Sequence, residues 1–417
     1  MGRADALVLG AGIVGVSTAL ALQERGIATI LVDRQAPGLA ASFGNSGVLQ
    51  REAVMPYEMP RDVKTLFTTL IGKNTAARLH LSALPSLIPF LARYWWYSEK
   101  SRHHEIAKSY ATLIERCLEA YAELSTGTNA SSLMTNSGIV AGFRSRHSFA
   151  TAQKAADYAA ATYGVEYTAL ESDTAIREVI PHINSGFEAA IHYKDSVTVS
   201  DPHALLTELF NKFENLGGQF ANADAMALRL EGDVYSLIGN GNDIQASHAV
   251  IALGAHSPIL AQKFGLKVPM GLKRGYHLHF AQDPKAPLTA TFADEHYGYV
   301  LTPKVAGIRL TTGAEFAKPN VAPTPHQLEQ VMPIAHKLHP LGAQIEEKPW
   351  MGIRPCMPDM LPVIGETPGQ KNLWCAFGHG HQGLTLGPIT GQLIADLITA
   401  RPPKVNLEPF YPGRFTR

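Results

Sequence analysis

The fold of this 417-residue chain is decided by residues 4–33, which read ADALVLGAGIVGVSTALALQERGIATILVD. A short apolar run is followed by a helix-like stretch and then by a second β-rich run that ends in Asp33. Between the first run and the helix, Gly10, Gly12 and Gly15 have the spacing Gly-x-Gly-x-x-Gly. This order predicts a strand, a tight turn, a helix and a second strand, the opening unit of a Rossmann-type sheet.

The glycine turn also predicts a nucleotide site. Gly10 suits the sharp turn, Gly12 lets a pyrophosphate approach the backbone, and Gly15 lets the helix pack closely on the strand. The positive end of the helix then faces the phosphates. Asp33 lies 18 residues after Gly15, where a carboxylate accepts hydrogen bonds from ribose hydroxyls. These residues do not decide between NAD and FAD.

Composition excludes several other classes of protein. Hydrophobic residues make up 46% and charged residues 17%, which favours a compact globular chain of two or three domains over a disordered or fibrous one. The 36 basic and 36 acidic residues balance, so we expect no nucleic-acid partner. The three cysteines form no Cys-x-x-Cys pair, which predicts neither a disulfide framework nor a thiolate zinc site and favours the cytoplasm.

We predict no membrane crossing and no export signal. The apolar stretch within residues 6–16 is interrupted by glycines, and no cleavage pattern follows it. The stretch from Leu81 to Tyr97 contains two prolines and is too short to span a bilayer. It ends in the sequence RYWWY, so it either packs on the protein's own core or makes a peripheral contact with the inner membrane.

Three ordered segments carry a family resemblance. Residues 41–47 read ASFGNSG, residues 350–365 read WMGIRPCMPDMLPVIG, and residues 372–385 read NLWCAFGHGHQGLT. The chain resembles the D-amino acid dehydrogenase branch of the D-amino acid oxidase-like FAD-dependent oxidoreductases. Within that branch, the histidine-rich last loop and residues 274–277 are most similar to the D-hydroxyproline dehydrogenases.

The resemblance implies an α/β fold in which a Rossmann-type FAD-binding domain is interleaved with an α+β substrate domain built on an antiparallel sheet. Alternating residues near 275–280, 298–303 and 308–313 independently predict such a sheet. The helical pattern predicts one helix over 105–124 and another over about 386–399. We expect the FAD-binding domain to comprise residues 1–60, 195–268 and 347–417, and the substrate domain to comprise residues 61–194 and 269–346.

The resemblance and the small-residue turns together predict the residues that hold FAD. The helix after the last glycine loop would point its positive end at the flavin. Thr385 would either cap this helix or bind the flavin edge. The candidates are Gly10, Gly12, Ile13, Val14, Gly15, Asp33, Arg34, Ser42, Asn45, Ser46, Gly47, Gly254, Gly380, His381, Gly383, Leu384 and Thr385.

Four residues are candidates for substrate contact. Arg354 matches the family's carboxylate-binding arginine, and a planar guanidinium holds a carboxylate bidentately. Tyr299 and Tyr276 would each either offer a hydroxyl to the substrate or simply pack in the sheet. His379 would either contact substrate or flavin or be a satisfied loop residue.

We therefore expect an FAD-dependent dehydrogenase of a D-amino or cyclic imino acid, such as D-hydroxyproline or D-proline, with a quinone or protein electron acceptor. The alternatives are a glycine or sarcosine-type oxidase and a flavin-binding subunit without turnover. The pairs His277/His279 and His379/His381 have metal-ligand spacing, but no patterned carboxylate or cysteine accompanies them, so we expect no metal. Cys356 is interpreted as an idle thiol rather than a covalent flavin link.

Overall fold

The computed structural model describes residues 2–72, 74–184, 186–239, 241–318 and 321–416. The strands are β1 (Gly2–Leu9), β2 (Thr29–Asp33), β3 (Val48–Leu49), β4 (Ala77–Leu79), β5 (Met134–Thr135), β6 (Ile139–Phe143), β7 (Tyr167–Leu170), β8 (Ala189–Tyr193), β9 (Val197–Val199), β10 (Gln219–Asn222), β11 (Arg229–Glu231), β12 (Val234–Gly239), β13 (Asn242–Ile251), β14 (Gly271–Gln282), β15 (Thr291–Asp294), β16 (Tyr299–Lys304), β17 (Gly307–Thr312), β18 (Ala314–Phe316), β19 (Leu341–Gln344), β20 (Trp350–Cys356), β21 (Val363–Glu366) and β22 (Leu373–Phe377). The helices are α1 (Ile13–Glu24), α2 (Val63–Leu70), α3 (Leu84–Tyr97), α4 (Lys100–Ile114), α5 (Cys117–Leu124), α6 (Arg146–Tyr163), α7 (Asp173–Val179), α8 (Pro202–Asn215), α9 (Ser257–Lys263), α10 (His326–Leu338) and α11 (Gly383–Ile398).

An eight-stranded sheet contains the opening unit. Its strand order is β10-β2-β1-β13-β12-β11, with β22 beside β13 and β21 beside β22. Strands β1, β2, β10, β13 and β22 run parallel, and β11, β12 and β21 pair antiparallel. The predicted strand–helix–strand order of residues 4–33 is therefore confirmed.

The two ends of the chain pack together on one face of this sheet. Helix α11 lies against α1, and both are almost entirely buried. A Cβ at Gly391 would lie 2.6 Å from the backbone of Ser17, and one at Gly387 would lie 3.1 Å from Ile13. The helix backbones approach this closely because glycine occupies the contact positions.

An eleven-stranded sheet forms the second layer. Strand β14 pairs antiparallel with both β17 and β20, which confirms the predicted antiparallel sheet. The predicted boundary at residue 347 falls before β20, yet β20 belongs to this sheet and not to the eight-stranded one. A short three-stranded sheet of β3, β9 and β5 lies beside the two large sheets.

Two predicted helices have different bounds in the structure. The helix expected over 105–124 is two helices, α4 and α5, which are interrupted at Glu115 and Arg116. The helix expected from residue 386 begins at Gly383, because Gln382 and not Thr385 is its N-cap residue. Helix α8 begins after Asp201, whose carboxylate accepts hydrogen bonds from the amides two and three residues further on at 2.9 and 3.0 Å.

No helix among the described residues is long and apolar enough to cross a membrane. The aromatic stretch forms a short 3₁₀ turn and then α3, which buries Leu87, Phe90 and Tyr94 against the protein. Trp96 stays 57% exposed, with the guanidinium of Arg102 3.5 Å from its ring. The helix thus packs on the core along one face and leaves an aromatic side chain outside it.

Candidate active site

A cavity of about 1470 Å³ is lined by residues of both large sheets. One end is formed by the glycine turn after β1 and by Asp33, and the other contains Arg354. Most of the predicted cofactor-binding residues line it, although Gly15, Gly47 and Thr385 do not. The cavity therefore joins the nucleotide end of the molecule to the residues predicted to bind substrate.

The glycine turn after β1 has a backbone conformation and close contacts that require glycine, as the sequence predicted. Gly10 has φ of 109°, and a Cβ there would lie 2.5 Å from the carbonyl oxygen of Ala252. A Cβ at Gly15 would lie 1.7 Å from the carbonyl oxygen of Gly10. One Asp33 oxygen accepts a hydrogen bond from the amide of Ala11 at 2.8 Å, which fixes the carboxylate beside the turn.

The loop of residues 42–47 closes one side of the cavity. Ser42 Oγ accepts a hydrogen bond from the amide of Ile13 at 2.9 Å, so the loop is tied to the start of α1. Asn45 Oδ1 accepts one from the Gly47 amide at 2.8 Å. The guanidinium of Arg309 donates to the Asn45 carbonyl. These bonds attach the loop to both sheets.

The last glycine loop brings the start of α11 to the cavity. Gly378 and Gly380 have φ of 86° and 60°, a left-handed conformation that favours glycine. Thr385 Oγ1 donates to Gln382 Oε1 at 2.6 Å and accepts from the Gln50 amide at 3.2 Å. Thr385 is therefore not the helix cap, and it supports the loop from behind the cavity wall.

Arg354 lies on β20 and lines the far end of the cavity. It donates to the carbonyl oxygen of Gly313 at 2.7 Å and to that of Thr312 at 3.0 Å. A Cβ at Gly275 would lie 2.5 Å from Nη2, so this glycine leaves the space that the guanidinium occupies. Within the described ranges no carboxylate forms an ion pair with Arg354, and burial lowers its pKa.

Tyr299 and Tyr276 border the cavity but pack in the core of the eleven-stranded sheet. The Tyr276 hydroxyl donates to Glu315 at 2.6 Å, so it is committed to that carboxylate. Burial, followed by the nearby charge of Asp294, raises the pKa of Tyr299. Both hydroxyls are therefore protonated at neutral pH, and their contact with a substrate stays a prediction.

His379 and His381 differ in what they face. His379 Nε2 is hydrogen bonded to Thr390 Oγ1 at 2.9 Å, and burial lowers the pKa of His379 to about 3. The ring of His381 lies 4.8 Å from that of Tyr57 on the cavity wall. Burial and then the charge of Arg354 lower the pKa of His381 to about 3. Both imidazoles are neutral in the working pH range.

Four polar residues of the cavity wall were not predicted from the sequence. Lys273 precedes the predicted strand by only two positions, and extending its alternating pattern would have found it. Tyr57, Glu52 and Glu295 also line the cavity, and they carry no local sequence signal. Burial raises the pKa of Glu52 to about 7.

A carboxylate lies beside one of the two histidine pairs, whereas the sequence predicted that neither pair has one nearby. His277, His279 and Glu346 have ligand atoms within 4.8 Å of one another. However, His279 Nδ1 is hydrogen bonded to the Glu346 carboxylate, and His279 Nε2 accepts a hydrogen bond from Arg309 Nε at 2.9 Å. Both ring nitrogens are engaged and a guanidinium adjoins them, so this cluster is a poor cation site.

The residues present fit a bound FAD. The glycine turn would let a pyrophosphate approach backbone atoms that a side chain would otherwise cover. Asp33 is held beside this turn, where it would accept hydrogen bonds from a ribose. The start of α11 would face an anionic flavin edge with positive helix-end potential. Arg354 lines the same cavity, so these residues would hold the cofactor and a substrate carboxylate in one space.

Comparison with known proteins agrees with this fit. The family model described as "DAO: FAD dependent oxidoreductase" matches residues 5–397. The chain belongs to the DAO family of FAD-dependent oxidoreductases. FAD is its cofactor, and the fold is the family's Rossmann-type domain combined with a substrate domain.

Relatives of this oxidoreductase match over almost its whole length. It is 28% identical to a D-amino-acid oxidase of Bradyrhizobium diazoefficiens and 29% identical to a D-amino acid dehydrogenase of Paramagnetospirillum magneticum. Each alignment covers 98% of this chain and 98% of the relative. The crystal structure of glycine oxidase from Geobacillus kaustophilus superposes with a TM-score of 0.74 at 21% identity, covering 99% of both chains.

Proposed function

We propose that this enzyme oxidises a D-amino or cyclic imino acid to the corresponding imine. The substrate loses its α-hydrogen as a hydride and its nitrogen loses a proton, so a carbon–nitrogen double bond forms and two electrons leave with the hydride. A primary imine is then hydrolysed to a 2-oxo acid and ammonia. The bound FAD supplies the hydride acceptor, and the protein supplies orientation.

The observation that carries the proposal is the position of Arg354. Its guanidinium lines the cavity, no described carboxylate neutralises it, and two backbone carbonyls fix its plane. A desolvated cation in this state favours a carboxylate ligand, and a planar guanidinium also fixes the rotation of that ligand. Arg354 thereby orients the α-carbon for transfer.

The remaining wall residues are consistent with hydride transfer from a neutral amine. His379 and His381 are uncharged, and Tyr299 and Tyr276 keep their protons. None of these groups repels or traps the developing iminium. The chemistry needs a fixed carboxylate and an aligned carbon–hydrogen bond, and no protein nucleophile.

The finer parts of the proposal rest on the family resemblance for the substrate and electron acceptor, and on the cysteine content and the aromatic segment for the location. They are D-hydroxyproline or D-proline as substrate, transfer of electrons to a quinone or protein acceptor, and a cytoplasmic location with peripheral contact to the inner membrane. The exposed Trp96 and the arginine beside it supply the aromatic and cationic groups that an interfacial contact uses.

The test is anaerobic reduction of the purified holoenzyme. Each member of a panel of D- and L-amino acids is mixed with the enzyme, and loss of the yellow flavin absorbance is followed in a stopped-flow instrument. We expect bleaching by D- but not L-substrates. If no amino acid bleaches the bound flavin, the chain is a non-catalytic flavin subunit and the proposal is wrong.

The same preparation identifies the electron acceptor. Stoichiometric hydrogen peroxide in air would favour a glycine or sarcosine-type oxidase. Slow reoxidation in air together with rapid reoxidation by a soluble quinone would support a dehydrogenase. Replacement of Arg354 by Met should raise KM or abolish bleaching while the flavin remains bound.

A further inference from the structure

We propose that Lys273 is a second anion-binding residue of the cavity, and that it selects substrates that carry a second carboxylate. The preferred substrate class would then be dicarboxylic D-amino acids, with the α-carboxylate on Arg354 and the distal one on Lys273. The inference rests on the proposed oxidation of D-amino acids, and it replaces the cyclic imino acids as the preferred substrates, since D-proline and D-hydroxyproline would leave Lys273 without an anionic partner.

The register of the sheet brings the two cations to one face. Lys273 on β14 is the direct partner of Arg354 on β20. Directly opposite residues of an antiparallel pair point to the same side, with Cβ atoms about 4.5–5.5 Å apart. Both residues line the cavity. A ligand held by Arg354 therefore lies within reach of the Lys273 side chain.

The two head groups point to different positions. Arg354 crosses over Gly275 to reach the carbonyls of Thr312 and Gly313. Lys273 Nζ instead lies 4.6 Å from the ring centre of Tyr94 and 5.5 Å from that of Phe316. Residues 273 and 275 are roughly 6–7 Å apart along the strand. The cations thus mark two anion positions, and a single shared carboxylate does not explain both.

The protein itself does not neutralise Lys273. Among the residues that the structure describes, none forms an ion pair or hydrogen bond with its ammonium, and its ring contacts are with Tyr94 and Phe316. Burial and then the positive charge of Arg354 lower the pKa of Lys273. Two desolvated like charges in one cavity destabilise each other, and a dianionic ligand relieves both.

Two acidic residues of the cavity wall, Glu52 and Glu58, have other partners. Glu52 interacts with Ser196 and accepts from Gln50 at 2.9 Å. Glu58 lies 3.9 Å from a histidine of α4. Neither carboxylate pairs with Lys273. The methylenes of a dicarboxylic substrate would meet apolar surface, because Tyr94, Phe316 and Met360 line this part of the wall.

The test compares matched substrates in the holoenzyme. D-glutamate and D-glutamine have nearly the same shape, and only the former carries a distal charge. We expect the wild type to prefer D-glutamate, and Lys273→Met to lower kcat/KM for D-glutamate by about 30-fold or more. The value for D-glutamine should change by less than about threefold, since its amide forms no charge pair.

Two further variants control for charge and for general damage. Lys273→Arg keeps a cation and should restore part of the preference for D-glutamate. Lys108→Met removes one exposed surface charge that pairs with Glu105 and should leave both substrates unaffected. Equal losses for D-glutamate, D-glutamine and D-proline in Lys273→Met would overturn the proposal, because Lys273 would then share the α-carboxylate.

A binding measurement separates this inference from the proposed function. Glutarate and butyrate lack an oxidisable amine, and their binding shifts the visible spectrum of a bound flavin. We expect glutarate to bind more tightly than butyrate to the wild type. We expect the two acids to bind with equal affinity to Lys273→Met. If amino acids fail to reduce the flavin while this difference persists, only the proposed function fails. If the wild type oxidises D-proline but shows no preference for a second carboxylate, only the Lys273 inference fails.

Discussion

The position of Arg354 depends on an absent side chain, so Gly275→Ala should damage the site without damaging the fold. The new Cβ would lie 2.5 Å from Nη2, 2.7 Å from Cζ and 3.1 Å from Nη1 of Arg354. Because ordinary contact begins at 3.4 Å, the guanidinium must retreat by about 1 Å. Its bonds to two backbone carbonyls, each about 1.5–3 kcal/mol for a charged donor, would then lengthen or break.

A displacement of this size should lower kcat/KM for flavin reduction by about 100-fold, equivalent to about 2.7 kcal/mol. The backbone should be unaffected, since alanine is about 0.5–1 kcal/mol more favourable than glycine within a strand. The assay is stopped-flow flavin reduction, together with the melting temperature and the FAD content of the variant. We expect both of the latter to match the wild type.

A double-mutant cycle shows whether the effect acts through Arg354. In an Arg354→Ala background, Gly275→Ala should cost less than about threefold, because the side chain it displaces is already gone. A 100-fold loss that persists in this background would refute the reasoning. Full activity of Gly275→Ala alone would refute it equally, since the guanidinium would not need its present position.

Two other predictions concern cofactor binding and pH. Gly15→Ala would place a Cβ 1.7 Å from the backbone carbonyl oxygen of Gly10, and a backbone atom cannot move aside as the end of a side chain can. We therefore expect a poorly folded protein that contains no FAD. A yellow variant with the wild-type melting temperature would contradict this prediction. The pKa of Glu52 is raised from 4.5 to about 7 in the folded protein, so the native state binds the proton more tightly than the unfolded state and loses that stabilisation as pH rises through this range. Glu52→Gln should therefore reduce the fall in stability between about pH 5 and pH 7 in denaturant titrations, and an unchanged slope would assign the fall to other groups.

Local sequence determined the parts of the fold that depend on neighbouring residues. The glycine turn of residues 10–15 is confirmed, because a Cβ at Gly10 or at Gly15 would collide with a backbone carbonyl oxygen. Asp201 caps α8 through hydrogen bonds from amides two and three residues further along the chain. The helix bounds near residues 115 and 383 were less accurate, since a break and a cap depend on contacts from other segments.

The candidate site was only partly accessible to sequence reasoning. Arg354 was found because it lies in a family segment, and the structure shows it lining the cavity. The segments did not identify Glu52, Glu295 and Lys273, because their importance comes from facing one cavity. The prediction that no carboxylate accompanies the histidine pairs was wrong for the same reason, because Glu346 is distant from His279 in the sequence and adjacent to it in space.

The sequence by itself determined that this chain opens with a dinucleotide-binding turn, because glycine spacing and strand–helix order are properties of consecutive residues. The resemblance of its three family segments, and not the turn, indicated an FAD-dependent oxidoreductase. Only the tertiary structure decided which charges share the cavity. The antiparallel register places Lys273 beside Arg354, although 81 positions separate them along the chain. Register is set by hydrogen bonding between distant strands, and a shift of one residue would turn either cation to the opposite face.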